Sequence, residues 1–247
     1  MLPNKDECID DLQLNGLFIL QKKNGFKFGI DAVLLSDFAK DAPSARTLDL
    51  CTGTGIVPLL LSAKTTAPDI CGLEIQSDIC DMANRTVIMN GLSERIHITE
   101  GDLNDACEIY GKCSFDKITC NPPYIEFGKG LVNETDTLSW SRHEIKCTLD
   151  DVLRVSAQLL KPQGRFFMVH RPSRLADIIC GMRQYNIEPK KLRFVHPSAE
   201  KAANLILIEG ARGGGRELKM LTPLYVYRAD GGYTDEINKI YNRKEDQ

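Results

Sequence analysis

The sequence predicts an α/β fold in which a mostly parallel, seven-stranded sheet carries helices on both faces and an antiparallel pair of strands at one edge. Short apolar segments alternate with amphipathic ones from Arg46 to Tyr185, at the spacing of repeated strand–helix units. Two further apolar segments, Leu192–His196 and Asn204–Glu209, are separated by a short linker with no helical pattern. A short linker joins antiparallel strands, which places these two as a pair at the edge.

Each remaining element is predicted between residues that interrupt regular structure, such as Gly53, Gly55 and the pair Asn90-Gly91. The other five strands are Thr47–Cys51, Ile70–Ile75, Ile96–Thr99, Lys117–Cys120 and Arg165–Val169. The predicted helices are Ile56–Ala63, Ser77–Asn90, Leu149–Leu160 and Arg174–Tyr185. Residues 125–148 show no sustained period, and a loop of that length inside a domain is usually functional.

The first forty residues are predicted to form a preamble of one hairpin and one helix, followed by the main domain at residues 41–247. Two segments rich in apolar residues, 17–21 and 26–28, flank Asn24-Gly25, a pair that favours a hairpin turn. Asp31 precedes a helical pattern and is placed as its N-cap.

The net charge of −3 hides an uneven distribution of charge along the 247 residues. Residues 161–228 hold 13 Lys and Arg against 5 Asp and Glu, whereas the rest holds 18 against 29. This imbalance predicts a basic face of the kind that contacts phosphates. The chain starts without a basic and then apolar leader and has no apolar stretch of about 20 residues, so we expect a cytoplasmic protein without a membrane partner. Nine cysteines without Cys-x-x-Cys spacing indicate reduced thiols and no metal site.

A glycine-rich turn, residues 49–55, follows the first of these strands and opens the next helix. Glycines at such a place let the backbone approach a ligand in front of a helix N-terminus. A dinucleotide fingerprint would need a third glycine at position 58, which is Pro58, and the Gly-Lys-Ser/Thr of a P-loop is absent. The Asp49 carboxylate can instead accept hydrogen bonds from a ligand ammonium group.

Acidic residues also lie at the ends of the next two strands, with Glu74 in the last residues of one and Asp102 just after the other. Open α/β sheets bind ligands along this edge, although each acid can alternatively cap its following helix. An ammonium at Asp49, ribose hydroxyls at Glu74 and a base amine at Asp102 describe S-adenosylmethionine. The predicted cofactor residues are Asp49, Cys51, Thr52, Gly53, Gly55, Glu74, Ile75, Asp102, Leu103 and Asn121.

The most specific motif is Asn121-Pro122-Pro123-Tyr124, directly after the fourth strand. Two prolines remove two backbone donors, so the local carbonyls cannot join a regular ladder. The Asn121 side-chain oxygen and the Pro122 carbonyl can then accept both hydrogens of a planar amine, which localises its lone pair and stabilises the charge that develops during attack on a methyl donor. Tyr124 can stack on the base. We predict all four as catalytic residues of an N-methyltransferase.

These motifs together resemble those of the class I S-adenosylmethionine-dependent methyltransferases, a Rossmann-like family. The whole chain further resembles the bacterial tRNA(Val) adenine-N6 methyltransferases, which act at position 37 beside the anticodon. That similarity rests on residues 26–35, 169–172, 195–197 and 222–227. It implies tRNA as the partner and S-adenosylmethionine as the cofactor. Cys51 departs from the pattern, since related proteins often have glycine there.

Three alternatives stay open. Asn-Pro-Pro-Tyr also occurs in enzymes that methylate guanine N2 of ribosomal RNA or a glutamine of release factors, although the latter usually have a longer helical N-terminal domain. A non-enzymatic RNA-binding module with a vestigial cofactor pocket is the third. The basic segment favours RNA. The predicted substrate contacts are Lys22, Lys23, Tyr124, Arg142, His143, Arg171, Lys190, Lys191 and Arg193.

Overall fold

The computed structural model describes residues 3–25, 27–122 and 147–242, which form a nine-stranded sheet, a separate two-stranded hairpin and helices on both faces of the sheet. The hairpin consists of β1 (Glu7–Asp11) and β2 (Phe18–Lys22). The strands of the sheet are β3 (Arg46–Leu50), β4 (Asp69–Glu74), β5 (Ile96–Glu100), β6 (Phe115–Cys120), β7 (Leu160–His170), β8 (Ile187–His196), β9 (Leu205–Arg212), β10 (Lys219–Met220) and β11 (Leu224–Tyr225).

The sheet has the strand order β10-β8-β9-β7-β6-β3-β4-β5, with β11 also paired to β8. Strand β9 runs antiparallel to both β7 and β8, and the other pairings are parallel. Strands β3 to β8 therefore all run in one direction. Their C-terminal ends, for example Leu50 of β3, Cys120 of β6 and His196 of β8, lie along one side of the sheet, called here the carboxyl edge. The predicted fold class is confirmed, with seven long strands and two strands of two residues added beside β8.

The helices cover the sheet from both sides. They are α1 (Ile30–Ala39), α2 (Ile56–Lys64), α3 (Ser77–Met89), α4 (Ala106–Tyr110), α5 (Leu149–Leu159), α6 (Leu175–Gln184) and α7 (Asp235–Ile240). Helices α1, α2, α3 and α7 pack in one apolar cluster, and α4, α5 and α6 in the other. Successive residues of β7 alternate between the clusters, since Phe167 lies in the first and Phe166 in the second. No helix of the described residues is both long and apolar enough to cross a membrane.

The hairpin predicted around Asn24-Gly25 is wrong. Strand β2 pairs with β1 instead, through residues 12–17, and residues 27–29 form no strand. The β1 pairing is held from outside the hairpin, because Arg85 of α3 donates to the Glu7 carboxylate with Nη1 2.8 Å from Oε2. This bond is the main reason that the pKa of Glu7 falls to about 2. Residues 23–25 still turn, but no described strand follows them to form the predicted hairpin.

The first forty residues share the core of the rest of the chain. Leu17 and Ile19 of the hairpin region lie in the same apolar cluster as Val33 of α1 and Leu59 of α2. The division into a preamble and a main domain at residue 40 stays a prediction.

Candidate active site

The carboxyl edge brings the ends of four neighbouring strands into a row. Asn121 follows β6, the glycine turn follows β3, Glu74 ends β4 and Asp102 follows β5. Neighbouring strands lie about 4.8 Å apart, so the row is about 14 Å long. The sheet therefore gathers the residues of both predicted motifs at one place.

The glycine turn needs its glycines for conformational reasons. Gly53 and Gly55 have φ of 55° and 78°, the left-handed region that side chains rarely adopt. A Cβ on Gly53 would meet no atom within 4 Å, whereas one on Gly55 would lie 3.4 Å from the Ala83 Cβ. Thr52, which lies between β3 and Gly53 in the chain, is buried. The open space at Gly53 leaves the backbone accessible to a ligand.

Cys51 adopts the same left-handed conformation without being glycine, with φ of 56°. An L-residue in this region costs roughly 1–2 kcal/mol, so the departure from glycine noted in the sequence falls where a Cβ is unfavourable. Its Sγ lies 3.7 Å from the Sγ of Cys147, just before α5. All the cysteines that the structure describes are free, and no group of three or more metal-binding side chains occurs among the described residues.

Asp49 is a buried carboxyl group, 2% exposed, within the row. It lies between Gly72 of β4 and Thr119 of β6, and its Oδ1 accepts a hydrogen bond from the Thr119 hydroxyl at 2.6 Å. Burial raises the pKa of Asp49 to about 7. A neighbouring cationic group on a ligand would favour the ionised carboxylate.

Glu74 is 4% exposed and is oriented by backbone groups. Its Oε2 accepts from the Gly53 amide at 2.9 Å, and its Oε1 accepts from the Gln76 backbone amide at 2.9 Å and from the Gln76 side-chain nitrogen at 3.3 Å. A carboxylate offers about four acceptor positions, so these three bonds leave capacity for one more, from a hydroxyl group. Ile75, half-buried, follows directly. The carboxylate that we predict to hold the ribose is thus fixed by the glycine turn itself.

Asp102 has a local partner. Its Oδ1 accepts from the Asn104 amide at 2.9 Å, which makes it the N-cap of the short 3₁₀ turn Leu103–Asp105. The capping alternative therefore applies to Asp102, and Leu103 is buried beneath it. Binding of a base amine by Asp102 stays a prediction.

Asn121 is half-buried and contacts α1. Its side-chain nitrogen Nδ2 donates to the Asp31 carboxylate oxygen Oδ2 at 3.2 Å. Because an ionised carboxylate only accepts, the nitrogen end of the amide faces Asp31 and the oxygen end faces away from it. Pro122 is buried. The predicted catalytic residues Pro123 and Tyr124 lie outside the described residues.

Asp31 is not the N-cap of α1, contrary to the prediction from the sequence. Helix α1 follows Gly29 as its N-cap, and Asp31 lies in the first turn, where its Oδ1 accepts from the Ala32 amide at 3.0 Å. An acidic residue near a helix start suggested capping and nothing more. The sequence holds no local signal for a partner at Asn121, ninety positions further along.

The predicted RNA contacts are dispersed over the described residues. Arg171 directly follows β7 at the carboxyl edge, exposed, and its Nη1 donates to the Asn204 carbonyl at 3.3 Å. Lys22 forms an ion pair with Asp78 at the start of α3. Lys23 donates to the Lys5 carbonyl at 2.8 Å. Arg142 and His143 lie outside the described residues.

Three of the residues predicted to contact RNA lie on β8, before its carboxyl end. Lys190 donates to the Gly215 carbonyl at 2.9 Å. Lys191 and Arg193 form ion pairs with Glu209 at 2.7 Å and Glu236 at 2.6 Å. The structure does not bring them together with Asn121, and their contact with RNA stays a prediction.

Residues 27–179 match the family model of the methyltransferase small domain. The chain belongs to this methyltransferase family. The methyltransferase is 30% identical over 216 residues to the tRNA1(Val) (adenine(37)-N6)-methyltransferase of Aeromonas salmonicida, covering 87% of this chain and 88% of the relative. Proteins of the same name from Porphyromonas gingivalis and Bacteroides fragilis are 29% and 27% identical, over 74% and 92% of this chain and 73% and 94% of theirs.

Solved structures show the same fold for the methyltransferase. A crystal structure described as a predicted O-methyltransferase from Agrobacterium tumefaciens aligns with a TM-score of 0.70 at 20% identity, over 86% of this chain and 95% of that one. TrmN from Thermus thermophilus aligns with a TM-score of 0.51 at 19% identity, over 73% and 48%. At these identities the likeness concerns the fold alone.

Proposed function

We propose that this methyltransferase transfers a methyl group from S-adenosylmethionine to N6 of an adenine in tRNA, at position 37 beside the anticodon. The observation that carries the proposal is the orientation of Asn121, whose nitrogen donates to Asp31 and whose oxygen faces away from it. The names of relatives that align over most of the chain support adenine and tRNA as the substrate. With tRNA as the proposed substrate, we place the enzyme in the cytoplasm, the location that the sequence predicts.

The residues present at the carboxyl edge fit the proposed cofactor. The set contains a buried carboxyl at Asp49 for an ammonium group, a fixed carboxylate at Glu74 for ribose hydroxyls, and an open backbone at Gly53. When bound, S-adenosylmethionine supplies a methyl group on a cationic sulfur. The glycine turn and Glu74 are connected by the bond from the Gly53 amide, so a ligand held by one is aligned with the other.

The chain's own contribution to the reaction is to hold and polarise an aromatic amine. The Asn121 Oδ1 and the Pro122 carbonyl accept the two amine hydrogens, which localises the nitrogen lone pair. The bond from Nδ2 to the Asp31 carboxylate is charge-assisted, and it draws the Asn121 amide toward its polarised form with more negative charge on Oδ1. Asp31 therefore strengthens the acceptor that the amine meets, and this role requires no strong general base.

The same amine clamp would suit guanine N2 or a glutamine amide, so the substrate needs a direct test. Transfer RNA from cells lacking the protein is incubated with purified methyltransferase and S-adenosylmethionine, digested to nucleosides and analysed by mass spectrometry. We expect N6-methyladenosine with the wild type, and its formation at least about a hundredfold slower with Asn121→Ala.

Two results would overturn the proposal. Formation of methylguanosine in place of N6-methyladenosine would assign guanine as the substrate. Binding of tRNA with neither methyl transfer nor heat on titration with S-adenosylmethionine would favour the RNA-binding module.

A further inference from the structure

An aromatic surface lies at the carboxyl edge, outside the row of site residues. Four of the seven tyrosines of the chain lie between residues 225 and 241. Strand β11 pairs with the end of β8 so that Tyr225 lies opposite the half-buried His196, with ring centroids 5.3 Å apart and the ring planes tilted by 43°. The side chains of Tyr225 and Tyr227 are 38% and 43% exposed. The rings therefore present aromatic area to the solvent at this edge.

The structure holds these rings in place from behind. Leu224 and Val226 are buried in the core, so the alternation of the chain turns Tyr225 and Tyr227 outward. Tyr227 stacks on Tyr233 with centroids 5.3 Å apart and the planes 14° from parallel. The His196 Nδ1 lies 2.8 Å from the Lys201 carbonyl, and a carbonyl only accepts, so Nδ1 carries the hydrogen. Rings that are fixed before binding lose little freedom when a base stacks on them.

The distance to the active site suits a neighbouring nucleotide. Strands β6 and β8 both end at the carboxyl edge and are separated by β7 and β9. Three strand spacings place the His196 ring about 14 Å across the edge from the strand that precedes Asn121. A base that flanks the target adenine in a tRNA loop lies within that reach.

Basic side chains flank the aromatic pair. Arg171 follows β7, between the pair and Asn121, and Lys201 follows β8. Both are exposed, and an exposed acid, Glu200, lies next to Lys201. The nearby Arg228 is engaged by Asp230, with Nε 3.4 Å from Oδ1. Cations beside exposed aromatic rings suit single-stranded RNA, because the cations can contact its phosphates while the rings stack on its bases.

We propose that His196 and Tyr225 form a stacking platform for an unpaired tRNA base next to the methylated adenine, with Arg171 and Lys201 contacting its phosphates. The inference rests on the proposed function and adds to it a surface that binds the tRNA loop. It gives a role to residues 195–197 and 222–227, which the reaction at Asn121 does not use.

The test compares Tyr225→Leu, which keeps apolar bulk, with Tyr225→Phe, which keeps an aromatic face. We expect the KM for tRNA to rise about tenfold with leucine and less than twofold with phenylalanine, because stacking on a ring is lost only in the first. The kcat at saturating tRNA stays unchanged in both. Phe18→Ala is the matched control, since Phe18 is 40% exposed on β2, away from this edge, and its loss should leave KM unchanged.

A second readout separates this inference from the proposed function. With 2-aminopurine in place of the base next to the target, the wild type should quench its fluorescence on binding, and Tyr225→Leu should relieve that quenching. Equal KM and equal quenching in wild type and Tyr225→Leu would overturn the platform while tRNA methylation stands. A wild type that binds the labelled tRNA but forms no N6-methyladenosine would overturn the proposed function instead.

Discussion

The two edges of the parallel sheet both bury charged groups, but they give those groups different partners. At the edge where the strands begin, called here the amino edge, Lys117 is 1% exposed and donates to the Ala39 carbonyl at the end of α1, at 2.7 Å. Arg95 there donates to three backbone carbonyls in and after α2, those of Ser62, Thr65 and Ala67. At the carboxyl edge, Asp49 lies beneath an open glycine turn.

Burial moves the pKa values at both edges toward neutrality. It raises the pKa of Asp49 to about 7 and lowers that of Lys117 to about 8. The cause is the same, since a low-dielectric surrounding disfavours either charged form. A shifted pKa therefore does not by itself mark a binding site. The two edges differ in the partners of their charged groups. The cations at the amino edge donate to backbone carbonyls at helix ends, whereas the carboxyl groups at the other edge lie beside a turn that can admit a ligand.

The largest expected effect is that of Asn121→Ala at the carboxyl edge. We expect kcat to fall by about 10²–10³, the usual loss for one oriented hydrogen-bonding group in a reaction site. The Kd for S-adenosylmethionine should stay within about twofold, since Asp49 and Glu74 remain. Gln184→Ala removes an exposed carboxamide at the end of α6, away from this edge, and should leave kcat unchanged. Near wild-type turnover in Asn121→Ala would rule out the amine clamp.

Asp31→Ala should lower kcat by about tenfold, through loss of one charge-assisted hydrogen bond to Asn121. The KM for tRNA should not change, because Asp31 acts through Asn121 and does not contact RNA. Asp31→Asn should restore part of the activity, since its amide oxygen can still accept from Nδ2. Asp235→Ala is the control for loss of an acid from a first helical turn. A raised KM with unchanged kcat would contradict this positioning role.

The Kd for S-adenosylmethionine should depend on pH through Asp49. The free carboxyl has a pKa of about 7, and a bound ammonium group favours its ionised form, so affinity is lost as pH falls below that value. Between pH 6.5 and 5.5 the Kd measured by calorimetry should rise about tenfold. Asp49→Asn should abolish this dependence. Lys117→Met, at the amino edge, should preserve it, and a flattened profile in Lys117→Met would break the comparison between the edges.

The smallest effect distinguishes two cysteines with left-handed backbone. Cys51 and Cys113 have φ of 56° and 54°, the first in the glycine turn and the second just before β6 at the amino edge. Replacing either with glycine should raise the free energy of unfolding by about 1 kcal/mol, measured with urea. Cys51→Ala keeps the unfavourable Cβ and should not. We expect a changed Kd for S-adenosylmethionine in Cys51→Gly alone, and a change in Cys113→Gly would count against the assignment of the turn.

The long strands of the sheet could be predicted from the sequence because they are buried on both faces and read as apolar segments. The predicted start of β7 is wrong by five residues, since the strand begins at Leu160 and includes the residues that we read as a breaker. Gln163, within this segment, has a left-handed backbone conformation with φ of 63°. Strands β10 and β11 contain two residues each, too few to show any period.

The candidate site was predictable where one topological rule applies. Parallel strands end at one edge, so residues at the strand ends, such as Asp49, Glu74 and Asn121, had to come together. Asp31 follows no such rule, because its contact depends on how α1 packs against the sheet. The roles of all these residues toward cofactor and substrate stay predictions until the variants are measured.

The bond between Asp31 and Asn121 joins two segments ninety positions apart. A graft of residues 41–242 onto another protein would carry the strand ends and the glycine turn but leave α1 behind. It would also lose Val33 and the other α1 residues that complete the apolar cluster, together with the carboxylate that orients the Asn121 amide. The opening helix thus contributes both to the core and to the surroundings of the motif that it touches.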